Sequence, residues 1–270
     1  MTTVSDLREM AGEKTITMLT AYDAPTAGIV EDAGVDVILV GDSMGNATMG
    51  HDTTLPVTVD QMADRTAAVA RGTDEALVVA DMPFLSFGTD EQASIENAGR
   101  MLKEADADAV KLESGPHTVD LTERMVQLGI PVMAHLGLTP QRVNELGGYS
   151  RQGTTEEAAE EIVDLAEAHE AAGAFSLVLE HVPANLAAEI TDRIDIPTIG
   201  IGAGPDCDGQ VLVFHDAVGL STWSPPFAEQ FGDVRGETHD AVSEFVEAVE
   251  GGEFPAGEHS HVEEELDEVY

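Results

Sequence analysis

The chain has little cysteine, few basic residues and no long apolar run, and each shortage excludes a class of protein. Cys207 is the only cysteine among 270 residues, which excludes an internal disulfide and a cysteine-rich zinc site. No apolar run approaches the roughly 18 residues that a transmembrane helix requires, and residues 1–10 contain no apolar core of a signal peptide. We therefore expect a cytoplasmic protein with no membrane partner.

The shortage of basic residues leaves a very acidic chain. Lysine and arginine together number 12 against 52 aspartates and glutamates, for a net charge of -40. Such a surface repels nucleic acid and anionic membranes, so neither is an expected partner. Acidic chains are often disordered, but this one has apolar runs throughout. The charge predicts a folded protein from a high-salt cytoplasm, where the Debye length of about 3 Å at 1 M salt screens self-repulsion.

Apolar runs alternate with amphipathic segments along the chain. The predicted strands are residues 15–20, 35–40, 76–80, 109–112, 131–134, 175–179, 197–200 and 210–213. The predicted helices are residues 3–11, 24–33, 58–71, 90–105, 118–128, 154–173 and 185–193. Capping boxes at 58–61 and 154–157 mark two helix starts, and Gly34, Gly129 and Gly173 mark three helix ends.

Eight successive βα-type units indicate a (β/α)8 barrel with a short N-terminal helix. The length would also suit two smaller domains, but no linker rich in serine, proline or glycine divides the chain. The sequence therefore predicts one barrel domain over residues 1–261, followed by an acidic C-terminal tail over residues 262–270.

Polar residues follow the apolar runs, most clearly in the stretch 35–45 (VDVILVGDSMG). Five of the six residues from 35 to 40 are Val, Ile or Leu, which is typical of a parallel strand buried on both faces. Asp42 and Ser43 come directly after it, and the alternative is that they only cap the next turn. Four later runs end in the same way, and their polar residues are Asp81, Glu113, His135 and Glu180. The barrel gathers the carboxyl ends of its strands at one rim, where ligands bind.

Carboxylates that face one another repel unless a cation or a proton neutralises them, and oxygen ligands favour Mg2+ or a similar hard ion. Lys111 lies two residues before Glu113, on the same face of its strand, where it could bind a substrate carboxylate. The alternative is a plain ion pair between Lys111 and Glu113. His135 could be a general acid, a metal ligand or a hydrogen-bonded spacer. The glycine run 200–204 is weak evidence for a phosphate loop, because no helix starts within it.

Several segments of this chain resemble the signature stretches of the ketopantoate hydroxymethyltransferase family. They are residues 20–23 (TAYD), 40–43 (VGDS), 50–58 (GHDTTLPVT), 80–84 (ADMPF), 135–141 (HLGLTPQ), 147–149 (GGY) and 200–204 (GIGAG). The resemblance runs in order from about residue 3 to about residue 260. It implies a barrel of the phosphoenolpyruvate/pyruvate-like superfamily.

The resemblance also implies a reaction. Members of the family add a one-carbon unit from 5,10-methylenetetrahydrofolate to C3 of 3-methyl-2-oxobutanoate, which gives 2-dehydropantoate on the route to pantothenate and coenzyme A. They do so through an enolate that Mg2+ stabilises. The family further implies a homo-oligomer, commonly a decamer of two pentamers. The expected partners are thus the small 2-oxo acid, the folate and other copies of the chain.

By resemblance, Asp42 and Asp81 are direct Mg2+ ligands, and Glu113 completes the site directly or through water. Asp42 and Asp81 thereby also hold the substrate, which the metal chelates through its keto oxygen and one carboxylate oxygen. Ser43 and Lys111 correspond to the positions that bind the substrate carboxylate. Glu180 corresponds to the proton acceptor, and His135 is an accessory candidate.

Two features depart from the family pattern or leave it open. Ser114 stands after Glu113 where a glycine is expected, and no single motif identifies the pterin carrier. Two rival functions remain: a lyase or phosphonomutase of the same superfamily, and a non-catalytic barrel whose aspartates are caps. The Lys-Lys-Cys-Gly-His loop of those lyases does not occur in this sequence.

Overall fold

The structure is a computed structural model that describes residues 1–263. Its Cα atoms form two compact units. The first comprises residues 1–214 and 225–228, and the second comprises residues 215–224 and, within the described chain, 229–263. The predicted acidic tail 262–270 falls almost entirely outside the described residues. The division into one barrel domain and a tail stays a prediction.

The first unit is a closed barrel of eight parallel strands in sequence order. The strands are β1 Ile16–Thr20, β2 Val37–Val40, β3 Leu77–Asp81, β4 Ala109–Glu113, β5 Val132–Gly137, β6 Ser176–Glu180, β7 Thr198–Ile201 and β8 Gly209–Leu212. Every predicted strand is present, so the predicted (β/α)8 barrel is confirmed. The strands β2, β3 and β4 are buried along their whole length, as continuous apolar runs predict.

Helices alternate with the strands along the chain, and most of them follow a strand. They are α1 Val4–Met10, α2 Ala24–Asp32, α3 Met44–Ala47, α4 Val59–Ala70, α5 Glu91–Lys103, α6 Val119–Gln127, α7 Val143–Leu146, α8 Glu156–Ala171, α9 Ala184–Arg193, α10 Phe214–Ala217 and α11 Val234–Glu250. Short 3-10 turns lie at Pro116–Thr118, Pro140–Arg142 and Gly257–His259. The short helices α3, α7 and α10 and the long helix α11 were not predicted.

The local signals at the helix ends are mostly confirmed. Thr58 and Gln61 form the predicted capping box at the start of α4. Gly34, Gly129 and Gly173 follow helix ends with positive φ angles of 88°, 86° and 94°. The second predicted box is wrong, because the N-cap is residue 155 and its hydroxyl accepts from the backbone of residue 158, which is an alanine without a carboxylate.

Two apolar layers hold the first unit together. In the barrel interior, apolar side chains of the strands form one cluster with Leu7 of α1, which is fully buried. Outside the sheet, the inward faces of the helices cover the strands in two further clusters. These layers leave the polar strand ends as the place where charged groups collect.

The longest element of the second unit is α11. None of its 17 residues is buried, and its apolar side chains Val242, Phe245, Val246 and Val249 are between 44% and 56% exposed. Phe245 contacts Phe254, with ring centroids 5.8 Å apart. The helix thus presents an apolar stripe that its own unit does not cover. Across residues 1–263, no helix is both long and apolar enough to cross a membrane.

Candidate active site

Four carboxylates lie at the carboxyl ends of the strands. Asp81, Glu113 and Glu180 are the last residues of β3, β4 and β6, and Asp42 comes two residues after β2. Their exposed fractions are 6% for Asp42, 4% for Asp81, 8% for Glu113 and, for the side chain, 16% for Glu180. The backbone N–H of Asp42 donates to Asp81 Oδ2 over 3.0 Å. The structure therefore brings the four predicted carboxylates together at one buried mouth.

Lys111 is the ammonium of this mouth. Strand register sets it beside Asp81, and its Nζ lies 2.8 Å from Asp81 Oδ1. The alternative of an ion pair with Glu113 is therefore wrong. Burial opposes the charged form, but the carboxylates of Asp81 and Asp42 outweigh it and raise the pKa of Lys111. Lys111 is thus a protonated cation at neutral pH.

His135 lies between the ammonium and the fourth carboxylate. It sits inside β5 rather than at a strand end, because β5 continues to Gly137. Its Nδ1 is 3.4 Å from Lys111 Nζ, and its Nε2 is 3.1 Å from Glu180 Oε2, although that contact is not aligned as a hydrogen bond. Burial and the nearby Lys111 charge hold the pKa of His135 well below its usual value, so the ring is neutral.

The tautomer of His135 follows from these contacts. An ammonium can only donate, so Nδ1 accepts from Lys111. The proton of the neutral ring is then on Nε2, the atom that faces Glu180. The close contact of the Glu180 carboxylate is thus His135, and no ion pair with His181 or an arginine is found for Glu180 within residues 1–263.

The titration of the carboxylates reflects their burial. Burial and repulsion from Asp81 raise the pKa of Asp42 to about 7. Burial raises the pKa of Glu180 to about 7, against the opposing charge of Lys111. Burial and the Asp42 charge raise the pKa of Glu113 well above its ordinary value. The mouth therefore has more carboxyl groups than its one ammonium can neutralise, and they bind protons more readily than exposed carboxylates do.

Ser43 begins α3, but its hydroxyl makes no capping hydrogen bond there. Its Oγ lies 2.9 Å from the hydroxyl of the buried Tyr22. The Asp42 side chain does not cap the turn either, since its Oδ2 accepts from Gln141. The alternative that these residues serve as helix caps is therefore not supported.

Three contributors to the mouth were missed or misjudged from the sequence. Gln141 donates to Asp42 and Glu113, and its only sequence signal is its place in the segment 135–141. Tyr22 is marked in the same way by the segment 20–23. Ser114, the departure from the family pattern, joins two strands: its hydroxyl donates to the Leu112 carbonyl over 3.0 Å and accepts from the His135 N–H over 3.2 Å.

The glycine run after β7 approaches other parts of the chain. A Cβ on Gly202 would lie 2.8 Å from the ring of Phe227, and a Cβ on Gly204 would overlap Ala184. Both glycines have positive φ angles. The run therefore serves close packing within the first unit, and a phosphate loop has no support.

The residues of the mouth suit a hard divalent cation. Four buried carboxylates face a single ammonium, and all the acidic groups offer oxygen donors, which Mg2+ prefers. Among residues 1–263, no group of three or more His, Cys, Asp or Glu side chains is already spaced to hold a metal ion. Mg2+ commonly takes one or two carboxylates and fills its other positions with water and substrate oxygens. The donor set thus fits such an ion without a complete protein cage.

The site contains the groups needed to bind an anion and to transfer a proton beside it. Lys111 and Ser43 offer donors, the aspartates offer cation ligands, and Glu180 is a carboxylate with a pKa of about 7. A base with a pKa near the working pH combines the correct protonation state with sufficient strength.

Comparisons with known proteins identify the family of the chain. The family model described as ketopantoate hydroxymethyltransferase matches residues 1–257. A curated 3-methyl-2-oxobutanoate hydroxymethyltransferase from Haloarcula marismortui is 73% identical over 270 residues, which cover both chains completely. One from Halobacterium salinarum is 69% identical over 274 aligned positions, again with full coverage of both chains. Both are halophilic archaea, in line with the acidic composition.

Solved structures share the fold at low sequence identity. A phosphoenolpyruvate phosphomutase from Streptomyces platensis subsp. rosaceus has a TM-score of 0.62 and 15% identity, covering 93% of this chain and 88% of that chain. A phosphonopyruvate hydrolase in complex with oxalate and Mg2+ has a TM-score of 0.60 and 14% identity, covering 96% and 93%. These likenesses show that the chain shares its barrel fold with these structures.

Proposed function

Since the chain belongs to the ketopantoate hydroxymethyltransferase family, whose members form 2-dehydropantoate for pantothenate synthesis, we propose the donor, the cofactor and the residues with which it acts. The donor is 5,10-methylenetetrahydrofolate, the acceptor is 3-methyl-2-oxobutanoate, and the cofactor is Mg2+. The observation that carries the proposal is the contact between the neutral ring of His135 and the Glu180 carboxylate, beside a cluster of carboxylates that a cation would stabilise.

Asp42 and Asp81 are the proposed direct ligands of Mg2+, with Glu113 completing the site directly or through water. Bound there, Mg2+ would supply Lewis-acid stabilisation of the negative charge that develops on the keto oxygen of the substrate. The excess of buried carboxylates over ammonium groups supports this assignment. The related hydrolase that contains Mg2+ is consistent with it.

Ser43 and Lys111 are the proposed ligands of the substrate carboxylate. Tyr22 lies 2.9 Å from the Ser43 hydroxyl and can orient it. Lys111 keeps one donor on Asp81, and an ammonium has three donors, so a substrate oxygen can be bound as well. Asp42 and Asp81 would contact the substrate only through the cation that they would hold.

Glu180 is the proposed base. Its carboxylate takes the proton from C3, and the electron pair of that C–H bond forms the enolate. C3 then bonds to the methylene carbon of the folate, whose two bonds to the folate nitrogens break, and water supplies the hydroxyl group of the product. The proton taken by Glu180 and the second proton of the water pass to those two nitrogens, and tetrahydrofolate leaves. The raised pKa makes Glu180 a stronger base than an exposed glutamate.

His135 is proposed as a positioning residue for this base. Its ring accepts from Lys111 and directs the Nε2 proton at Glu180, so the base and the substrate-binding ammonium are coupled through one side chain.

We propose a homo-oligomer, a decamer by analogy with the family, in the cytoplasm. The exposed apolar stripe of α11 supports self-association, since a contiguous apolar patch on a monomer commonly marks an interface. No observation on the described residues favours the rival lyase, phosphonomutase or non-catalytic functions over this one.

The direct test is formation of 2-dehydropantoate from 3-methyl-2-oxobutanoate in concentrated KCl, with Mg2+ and each candidate carrier in turn. We expect product with 5,10-methylenetetrahydrofolate and none after the metal is removed with EDTA. Product that forms only with a modified pterin would contradict the proposed donor but would still support the proposed reaction. Undiminished turnover in EDTA would overturn the metal.

A further inference from the structure

Gln141 contacts the ends of three neighbouring strands. Its side-chain Nε2 donates to Asp42 Oδ2 over 2.8 Å and to the Met82 carbonyl over 3.0 Å. Its backbone N–H donates to Glu113, 3.0 Å from Oε1 and 3.1 Å from Oε2. Met82 directly follows Asp81, so this one residue joins the segments that carry all three proposed metal ligands.

The orientation of the Gln141 amide is determined by its neighbours. The Asp42 carboxylate and the Met82 carbonyl are both acceptors, so only the NH2 group can face them. The residue is 6% exposed, which excludes water as a ready substitute. The position in the turn Pro140–Arg142 adds rigidity, because proline restricts φ at its start.

Gln141 differs from Lys111, the charged donor of the mouth, because its amide carries no charge. Lys111 neutralises part of the carboxylate charge, whereas the amide orients a carboxylate and leaves its charge in place. The Gln141 amide thus orients a carboxylate without neutralising it, so a cation is still needed to balance the negative charge. Partners of this kind, behind the ligands themselves, commonly tune the affinity of a metal site.

We propose that Gln141 is a positioning residue that sets the affinity of the mouth for its divalent cation by fixing the Asp42 carboxylate. The inference rests on the proposed function, since it requires a cation at the carboxylates. The backbone contact with Glu113 survives any side-chain substitution, so side-chain variants isolate the link to Asp42.

The test measures cation binding directly, with Mn2+ as a paramagnetic substitute for Mg2+. Metal-stripped full-length protein in concentrated KCl is titrated with Mn2+ and followed by electron paramagnetic resonance. Gln141→Met keeps the side-chain length without a donor, and Gln141→Asn keeps an amide one methylene too short to reach Asp42. We expect both variants to weaken Mn2+ binding by about 10-fold to 100-fold.

Gln210→Met is the matched control, because its Nε2 donates over 3.0 Å to the carbonyl of Gly204 and to no proposed metal ligand. It should bind Mn2+ as the wild type does. Thermal unfolding without metal identifies a variant that fails to fold. If Gln141→Met fails to fold, the Mn2+ affinity of Gln141→Asn provides the test. Wild-type affinity in the folded Gln141 variants would overturn this inference alone. Absence of Mn2+ binding by the wild type would overturn the metal site and the inference with it.

Discussion

At the scale of single residues, the chemistry of the mouth depends on which carboxylate is free to act as a base. Asp42 and Glu113 accept hydrogen bonds from Gln141, and Asp81 is paired with Lys111. Within residues 1–263, the close side-chain contact of the Glu180 carboxylate is the neutral imidazole of His135. It is therefore the carboxylate best placed to exchange a proton with substrate.

Glu180→Gln should abolish solvent deuterium exchange at C3 of 3-methyl-2-oxobutanoate in the absence of folate. The amide cannot accept the proton, while Mg2+ and substrate should still bind in calorimetric titrations. The exposed Glu161→Gln variant of α8 is the control and should exchange normally. Undiminished exchange by Glu180→Gln would remove it as the base.

The same exchange should depend on pH in a defined direction. Glu180 acts as a base only when ionised, and burial raises its pKa to about 7. The exchange rate should therefore rise between about pH 6 and pH 8 and level off above. A rate already maximal at pH 5 would mean that the acting base has an ordinary carboxylate pKa.

Asp42→Asn and Asp81→Asn should each lower kcat/KM by about 100-fold or more. Each removes one ligand charge, and metal stabilisation of developing charge is worth several kcal/mol, at about 1.36 kcal/mol per factor of ten. The folds should survive, because each change also relieves repulsion between buried carboxylates. Near-normal turnover by a metal-stripped variant would contradict the assignment.

At the scale of elements, the junction of β5 and β6 supports the base. Gly137 ends β5 with φ at 95°, and a Cβ there would overlap the Glu180 carbonyl and lie 2.7 Å from Val182 Cγ1. The same carbonyl accepts from the Leu138 N–H over 2.8 Å. Only glycine at this position allows β5 to lie against the residue that carries the base.

Gly137→Ala should destabilise the fold by about 1–3 kcal/mol and slow the exchange reaction. For a chain of this size each kcal/mol lowers Tm by roughly 2–4 °C. Gly129→Ala is the control that separates backbone strain from displacement of the Glu180 backbone. Gly129 also has a positive φ, but it has open space around its Cβ position. That control should lose stability and keep exchange. Equal exchange by both variants would exclude a role for the junction in placing Glu180.

At the scale of the whole molecule, the dominant property is the net charge of -40. Repulsion of this size acts within one chain and, more strongly, between the chains of an oligomer. At 1 M salt the Debye length is only about 3 Å, so concentrated KCl screens most of it. The stability of the fold and the assembly of the oligomer should therefore both decrease as the salt concentration is lowered.

Lowering KCl from molar to millimolar concentrations should reduce activity and dissociate the oligomer together. Sedimentation velocity at a series of KCl concentrations, with activity measured on the same samples, tests this. Val246→Lys in α11 should dissociate the assembly at high salt if the apolar stripe forms the interface. A stable wild-type monomer in molar KCl would contradict the proposed assembly.

The barrel could be predicted from the sequence because its signals are local. Continuous apolar runs, capping residues and terminal glycines each act within a few neighbours, and they locate all eight strands and seven of the helices within a few residues. The helix α11 was not predicted, because its apolar residues are not buried in its own unit and its pattern is weak. The strand ends also marked Asp42, Asp81, Glu113 and Glu180 without any structure.

Only the tertiary structure decided which of these groups touch. Lys111 pairs with Asp81 of the neighbouring strand and not with Glu113, because strand register rather than sequence distance determines its partner. Gln141 reaches Asp42 across 99 residues of sequence, and no local pattern distinguishes it from an exposed glutamine. Sequence by itself determined the kind of barrel and the residue types at its mouth. Their contacts, tautomers and raised pKa values arise from long-range burial and strand register, which local patterns do not encode.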